Sequence, residues 1–260
     1  MADPTVSLRF ADGIARVTLA RPDVRNAFNA DVIAELQAAF TRIAAADDVR
    51  AVVLAGEGKV FCGGADIGWM RASLDLSFEA NAIDAERMSD MFRAVDNCPR
   101  PVVARIQGAA LGGGAGLAAV CDVVVAAEDA VFGFTEVKLG IIPAVISPFS
   151  IAKIGPSNAR ALFLTGERFS ADRAARIGLV HEVVPAAQLD DAVERVLGEI
   201  RSAGPYAVSA AKLLVRRVLD ATYEESRAIT TQAIANQRIT PEGQEGLRAF
   251  LERRKPSFHA

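Results

Sequence analysis

Short apolar runs and amphipathic stretches recur along this chain in one order, two strands and then a helix, in units of roughly 40–50 residues. That order constrains the fold more than any other feature. A strand run with two apolar faces needs a helix to cover it, so the repeat predicts an α/β core. Val6–Phe10 and Ile14–Leu19 flank Asp12-Gly13, a pair that readily takes positive φ, and predict a hairpin. Ile33, Leu36, Phe40 and Ile43 fall on one face of a helix over Asp31–Ala46, with Asn29 as its cap. Ala51–Leu54 and Val102–Ile106 read as buried strands, and Phe78–Val95 as a helix stopped before Pro99 and Pro101. A helix is expected to open at Gly112–Gly116 and run through Val120. Val123–Ala126 and Val131–Phe134 read as short strands, and Pro143 as the first residue of a helix reaching about Ile154. Beyond that point the pattern is mostly helical. Leu189, Val193, Val196 and Ile200 form one stripe, which Gly204-Pro205 breaks. The expected division is an α/β core over residues 1–203 and a helical region over residues 204–260.

Composition narrows the function. Of 260 residues, 51% are apolar, enough for one large core. The net charge of −3 is spread over both signs, without the basic excess of a nucleic-acid binder. No run of 18 apolar residues suggests a membrane span. The N-terminus lacks the basic and apolar regions of a signal peptide. Cys62, Cys98 and Cys121 are odd in number and far apart, with no CxxC or His cluster, which argues against zinc or a disulfide framework. A reducing cytoplasm is the expected location.

Two glycine-bearing loops are the candidate chemistry. One is Phe61-Cys62-Gly63-Gly64-Ala65-Asp66-Ile67; the other is Gly108-Ala109-Ala110-Leu111-Gly112-Gly113-Gly114 at a helix start. Glycine lets backbone approach a ligand, and a helix N-terminus offers free N–H groups. Facing one another, such loops can offer two donors to one developing oxyanion. As ordinary turns they would need no ligand, and the residues alone leave that choice open. Gly114-Ala115-Gly116-Leu117-Ala118-Ala119 fits a loose dinucleotide fingerprint, but Gln107 through Gly113 separate it from its strand, so this reading ranks low. Only His181, inside a strand read over Leu179–Val184, and His259, next to the C-terminus, could serve a Ser-His-Asp triad, and both sit where histidines are usually structural or exposed. Acid–base work then falls to a carboxylate. Glu136 is the candidate, because the apolar stretch Leu139–Pro143 beside it can raise its pKa; a surface glutamate at a strand end is the alternative.

Taken together, these segments resemble the crotonase, or enoyl-CoA hydratase/isomerase, superfamily. Phe61–Ile67 resembles its oxyanion loop. Gly108–Gly114 with Leu117–Asp122 resembles its second signature, and Phe132–Pro143 its third. Arg21-Pro22 with Arg25–Asn29 is similar to the early CoA-contact segment. Leu164-Thr165-Gly166 with Ala174–Val180, and Phe250–Pro256, resemble its later parts. The likeness spans nearly the whole chain. It implies a spiral of ββα turns whose C-terminal helices build homotrimers, often paired as hexamers. It implies an acyl-CoA substrate, with no metal and no cofactor beyond the CoA moiety. By position, backbone N–H groups of Ala65 and Gly113 would be the oxyanion donors. CoA would pass Arg25, Ala27, Gly63, Asp66 and Ile67, mainly by backbone contacts, with Phe250 and Lys255 of a neighbouring subunit closing over it. Trp69, Met70 and Val145 would line the acyl pocket, although helix core is an equal reading for Trp69 and Met70.

The chain departs from the pattern at two places. Mainstream hydratases carry two glutamates; the second matches Glu136, but the first matches Gly116, which cannot transfer a proton. The usual glycine-rich run after Pro143 is replaced by the bulkier Ala144–Phe149. The combination resembles the bacterial methylglutaconyl-CoA and isohexenylglutaconyl-CoA hydratase branch. A substrate with its own carboxylate would be repelled by a second glutamate, and Gly116 is expected to remove that charge and open space. The alternatives are a Δ3,Δ2-enoyl-CoA isomerase using Glu136 alone and, in another class, a non-catalytic acyl-CoA binding protein.

Overall fold

A computed structural model describes residues 4–258. The hairpin forms as expected: β1 (Val6–Ala11) pairs antiparallel with β2 (Ile14–Leu19), and Asp12 and Gly13 both take positive φ between them. Four further strands add in parallel to complete a six-stranded sheet. They are β3 (Ala51–Gly56), β4 (Val102–Ile106), β6 (Val123–Ala127) and β9 (Glu182–Val184), in the order β1-β2-β3-β4-β6-β9. A second sheet of three strands holds β5 (Ala109–Leu111), β7 (Val131–Gly133) and β8 (Arg168–Ser170). Each pair β4/β5 and β6/β7 sends one strand to each sheet, so the chain climbs as a spiral of ββα turns. The earlier turn that starts with β3 reaches the second sheet only by a bridge, Cys62 to Ala110.

The parallel strands are apolar on both faces because both are covered. Val52 and Leu54 of β3 point into the main core, with Ala104 and Ile106 of β4 and with α1 (Ala30–Ala44) and α3 (Phe78–Asp96). Their neighbours Ala51 and Val53 point the other way, where Leu189, Val193 and Leu197 of α7 (Leu189–Ser202) cover them. The stripe read in the sequence is therefore the lid on the second face. Asn29 caps α1, its side chain accepting the Val32 N–H at 3.0 Å.

Three expectations need correction. Pro143 does not begin a helix. Ile141–Pro143 run without regular structure, and α5 (Ser147–Thr165) starts where Pro148 supplies the preset φ instead. The expected end near Ile154 does mark a break, since α5 kinks at Gly155-Pro156. β5 and β8 were not anticipated. Each has three residues, too few for a period-two pattern to show. β9 begins at Glu182, so His181 precedes the strand, with Nδ1 accepting the Val124 N–H at 2.9 Å. Burial lowers its pKa, which favours the neutral ring that this bond needs. His259 lies outside the described residues.

After α7 come α8 (Pro205–Leu219), α9 (Tyr223–Ile239) and α10 (Pro241–Leu251). Lys212 of α8 ties this region to the spiral through Asp122 at 2.7 Å. Among the described residues no helix is long and apolar enough to cross a membrane, and no three His, Cys, Asp or Glu side chains group as metal ligands.

Candidate active site

The two glycine-bearing loops face one another, and the hydrogen bonding of their backbone explains what they expose. Phe28 donates to Gly64 O and accepts from the Asp66 N–H, both at 2.8 Å. In an extended strand, successive N–H groups point to opposite sides. Pairing Gly64 and Asp66 with Phe28 therefore turns the Ala65 N–H away, toward the cavity. On the other loop, Cys62 N–H donates to Ala109 O, Leu111 N–H to Cys62 O and Gly112 N–H to Gly133 O. The next residue, Gly113, is the first of α4 (Gly113–Val120), where a helix leaves its N–H unpaired. Neither the Ala65 nor the Gly113 N–H has an intramolecular partner among the described residues, and both residues line one cavity of about 410 Å³.

Glycine is required where the loops touch. Gly112 takes φ 50° and ψ −119°, and a methyl carbon there would lie 3.2 Å from Glu136 Oε1. On Gly64, at φ 100°, a methyl carbon would lie 3.2 Å from Leu111 O.

Glu136 opens a 3-10 helix, Glu136–Leu139, directly after β7. Phe134, fully buried and edge-on to Phe163 at 5.0 Å, anchors the segment. Burial raises the Glu136 pKa above the ordinary glutamate value, against a smaller lowering by its own backbone N–H. Its Oε2 is buried with no hydrogen-bond partner among the described residues. A carboxylate oxygen desolvated and unpartnered beside a cavity is suited to hold or move a proton.

The same cavity is lined by Gly63, Trp69, Met70 and Val145 of the residues singled out in the sequence. Trp69 and Met70 belong to α2 (Ile67–Ser73), and Trp69 also packs partly on the main core. Arg25, Ala27, Asp66 and Ile67 do not line it. Arg25 accepts the Gly63 N–H through its carbonyl at 2.8 Å, and Ile67 is exposed. The Asp66 carboxylate is committed within the protein: Oδ1 accepts the N–H groups of Gly68 and Trp69, and Oδ2 pairs with Arg21 at 2.9 Å. Arg21 also donates to Ala27 O at 2.6 Å. Phe250 and Lys255 line no part of the cavity in the same chain; Phe250 is 81% exposed on α10.

Gly116 also lies outside the lining, and the space expected beside it is filled. A methyl carbon on Gly116 would meet Ile146 Cγ2 at 2.4 Å. Ile146, from the bulky segment after Pro143, lines the cavity at that point. Gly114 likewise presses against Cys62 O, so the loose dinucleotide fingerprint is a set of packing glycines inside a buried helix. Three lining residues carried no sequence signal, Asn81, Asp84 and Met88 from α3, while Thr135 and Ile146 were seen only as parts of longer segments. Asn26 was seen only as part of a motif. It is buried at φ 54°, and its amide donates to Glu57 O and Val60 O while its Oδ1 accepts the Arg21 N–H.

The spiral of ββα turns is the fold of the crotonase class of enzymes. This chain belongs to the enoyl-CoA hydratase/isomerase family, whose model matches residues 9–260. It is 34% identical to a crotonyl-CoA hydratase of Syntrophomonas wolfei over 99% of both chains. It is 33% identical to a short-chain-enoyl-CoA hydratase of Clostridium acetobutylicum over 93% of this chain and 92% of that one. Among solved structures, an enoyl-CoA hydratase of Mycobacterium smegmatis superposes with TM-score 0.95 at 34% identity, covering 99% of this chain and 100% of that one. AtuE of Pseudomonas aeruginosa superposes with TM-score 0.95 at 36% identity, covering 98% and 100%.

Proposed function

We propose that the protein adds water across the C2=C3 bond of an enoyl-CoA thioester. The observation that carries this reading is Glu136, with an unpartnered buried oxygen beside the free N–H groups of Ala65 and Gly113. The thioester carbonyl oxygen accepts from those two N–H groups. Glu136 takes a proton from water as the water oxygen bonds to C3. The C2=C3 electron pair moves toward the thioester, and the enolate oxygen carries the charge between the two donors. Glu136 then returns its proton to C2, which regenerates the carboxylate and leaves a 3-hydroxyacyl thioester. Each donor in such a hole contributes roughly 3 kcal/mol to the transition state.

For the acyl group we favour the branched glutaconyl type, as in 3-methylglutaconyl-CoA. The combination of Glu136, Gly116 and the bulky Ala144–Phe149, which resembles the glutaconyl-CoA hydratase branch, supports this choice. The cavity lining holds Glu136 and Asp84 and no lysine or arginine. The substrate carboxylate is therefore directed to the cavity mouth rather than its interior. The apolar faces of α8–α10, with Leu213, Leu219, Phe250 and Leu251 exposed, support assembly as a homotrimer or a hexamer of two trimers. In that assembly Phe250 and Lys255 would reach a neighbour's CoA.

The test follows the loss of enoyl-thioester ultraviolet absorbance with 3-methylglutaconyl-CoA and crotonyl-CoA, with Glu136→Gln alongside. Glu136-dependent loss favouring the glutaconyl thioester supports both parts. Preference for crotonyl-CoA removes the glutaconyl part. Loss with neither, together with conversion of a 3-enoyl thioester, makes the protein an isomerase instead.

A further inference from the structure

The cavity that holds the catalytic groups is not the only one against α3. A second, of about 370 Å³, lies in the groove between α1 and α3. α1 lines it with a shallow apolar floor of Ile33, Ala30 and Ala34, of which only Ile33 is buried, together with the polar Asp31 and Gln37, and α3 adds Arg87. The two cavities share two lining residues, Trp69 and Asp84. Asp84 contacts Arg87 one turn along α3 at 3.6 Å. Trp69 and Asp84 thus stand between the two cavities and face both.

The backbone that carries the indole is held by the cap of α2. The Trp69 N–H donates to Asp66 Oδ1 at 3.2 Å, and Asp66 is held by Arg21. The ring packs partly against the main core. α2 therefore presents Trp69 as a held partition.

We propose that Trp69 limits the length of the acyl group by closing the acyl cavity off from the groove between α1 and α3. The inference rests on reading the first cavity as an acyl-thioester site. With the indole in place, the cavity admits short acyl groups. With it removed, the two cavities join, and the apolar floor of Ile33, Ala30 and Ala34 becomes a subsite for the distal methylenes of a medium-length chain.

The experiment compares kcat/KM for crotonyl-CoA and trans-2-decenoyl-CoA in the wild type, Trp69→Ala, the milder Trp69→Leu, and Trp69→Leu combined with Ala34→Phe. Ala34 is exposed on α1 and lines only the second cavity, so phenylalanine there refills the groove. The expected result is a rise of about tenfold or more in the decenoyl-to-crotonyl ratio on shortening Trp69, the scale at which pocket volume discriminates methylenes. The added Ala34→Phe should return the ratio toward the wild type. An unchanged ratio in a folded Trp69→Leu protein overturns the proposal, as does a gain that survives Ala34→Phe. Calorimetric binding of butyryl-CoA and decanoyl-CoA gives the same comparison without turnover. A shift in that binding ratio with no hydration by any variant keeps the partition and rejects the hydratase reading. Binding of neither thioester rejects both.

Discussion

The Cγ2 methyl of Ile146 stands where a side chain on Gly116 would have to begin, 2.4 Å from the position of a β-carbon there. Phe92 Cε1 is 3.1 Å from the same point. Gly116 is buried inside α4, so it cannot relieve the clash by turning outward. Alanine would normally gain up to about 1 kcal/mol in a helix interior. Here overpacking, typically about 1–3 kcal/mol, opposes that gain. Gly116→Ala is expected to be destabilised by about 1 kcal/mol in urea unfolding. The double variant with Ile146→Ala should lose less than the sum of the two single losses, and strict additivity would show that the two positions do not touch.

Glu136→Gln separates activity from stability. Removing the proton carrier should lower kcat by about 10²–10⁴-fold. Burial raises the Glu136 pKa, so the folded state binds its proton more tightly than the unfolded state. The sign follows: this group's cost to stability is absent below the unfolded pKa and grows as pH rises through the folded one. At neutral pH the glutamine variant should melt at a higher temperature than the wild type, and the difference should vanish under acid. The acid limb of the wild-type rate should also lie above that of an ordinary glutamate. A lower melting temperature for the variant at neutral pH would count against a desolvated carboxylate.

Asp66 holds α2 in place. Burial alone would raise its pKa, but hydrogen bonds from Arg21 and from the N–H groups of Trp69 and Gly68 outweigh it and hold the carboxyl below the ordinary aspartate value. Its contribution to stability is present above the unfolded pKa and lost as pH falls through the folded one. Asp66→Ala should lose about 1–2 kcal/mol with the cap. Because α2 carries Trp69 and Met70 to the cavity, KM for the thioester should rise as well. Asp66→Asn keeps an acceptor for the cap and should lose less. Equal losses in the two variants would place the effect on the Arg21 pair.

The three thiols should be inert in the folded protein. Cys62, Cys98 and Cys121 are all buried and free. Burial pushes the Cys62 and Cys121 thiols up to about 12, and raises Cys98 as well. Only thiolate reacts with an alkylating agent. Mass spectrometry after iodoacetamide treatment should show no label on the native protein and three after denaturation. Rapid native labelling at Cys62 would mean that the loop bearing Ala65 opens in solution.

The sequence by itself determined the repeating order of strands and helices, because that order is written in local hydrophobic period. Ala51–Leu54, Val102–Ile106 and Phe78–Val95 could all be placed from runs of a few residues. It also singled out the two glycine-bearing loops and Glu136, because glycine beside a helix start and a carboxylate beside an apolar stretch are local signals; Ala65 and Gly113 within those loops came from the family resemblance. Only the tertiary structure decided what surrounds them. β5 and β8 are too short to carry a period, and Pro143 and Pro148 carry the same helix-start signal five residues apart. Gly116 looked like a vacancy because a sequence shows the missing side chain and not the neighbour that fills its place. Ile146, thirty residues away, fills it, and Asp84 of α3 and Trp69 of α2 line the same cavity. Such contacts depend on the distance between side chains in space, and no local pattern along the chain encodes it.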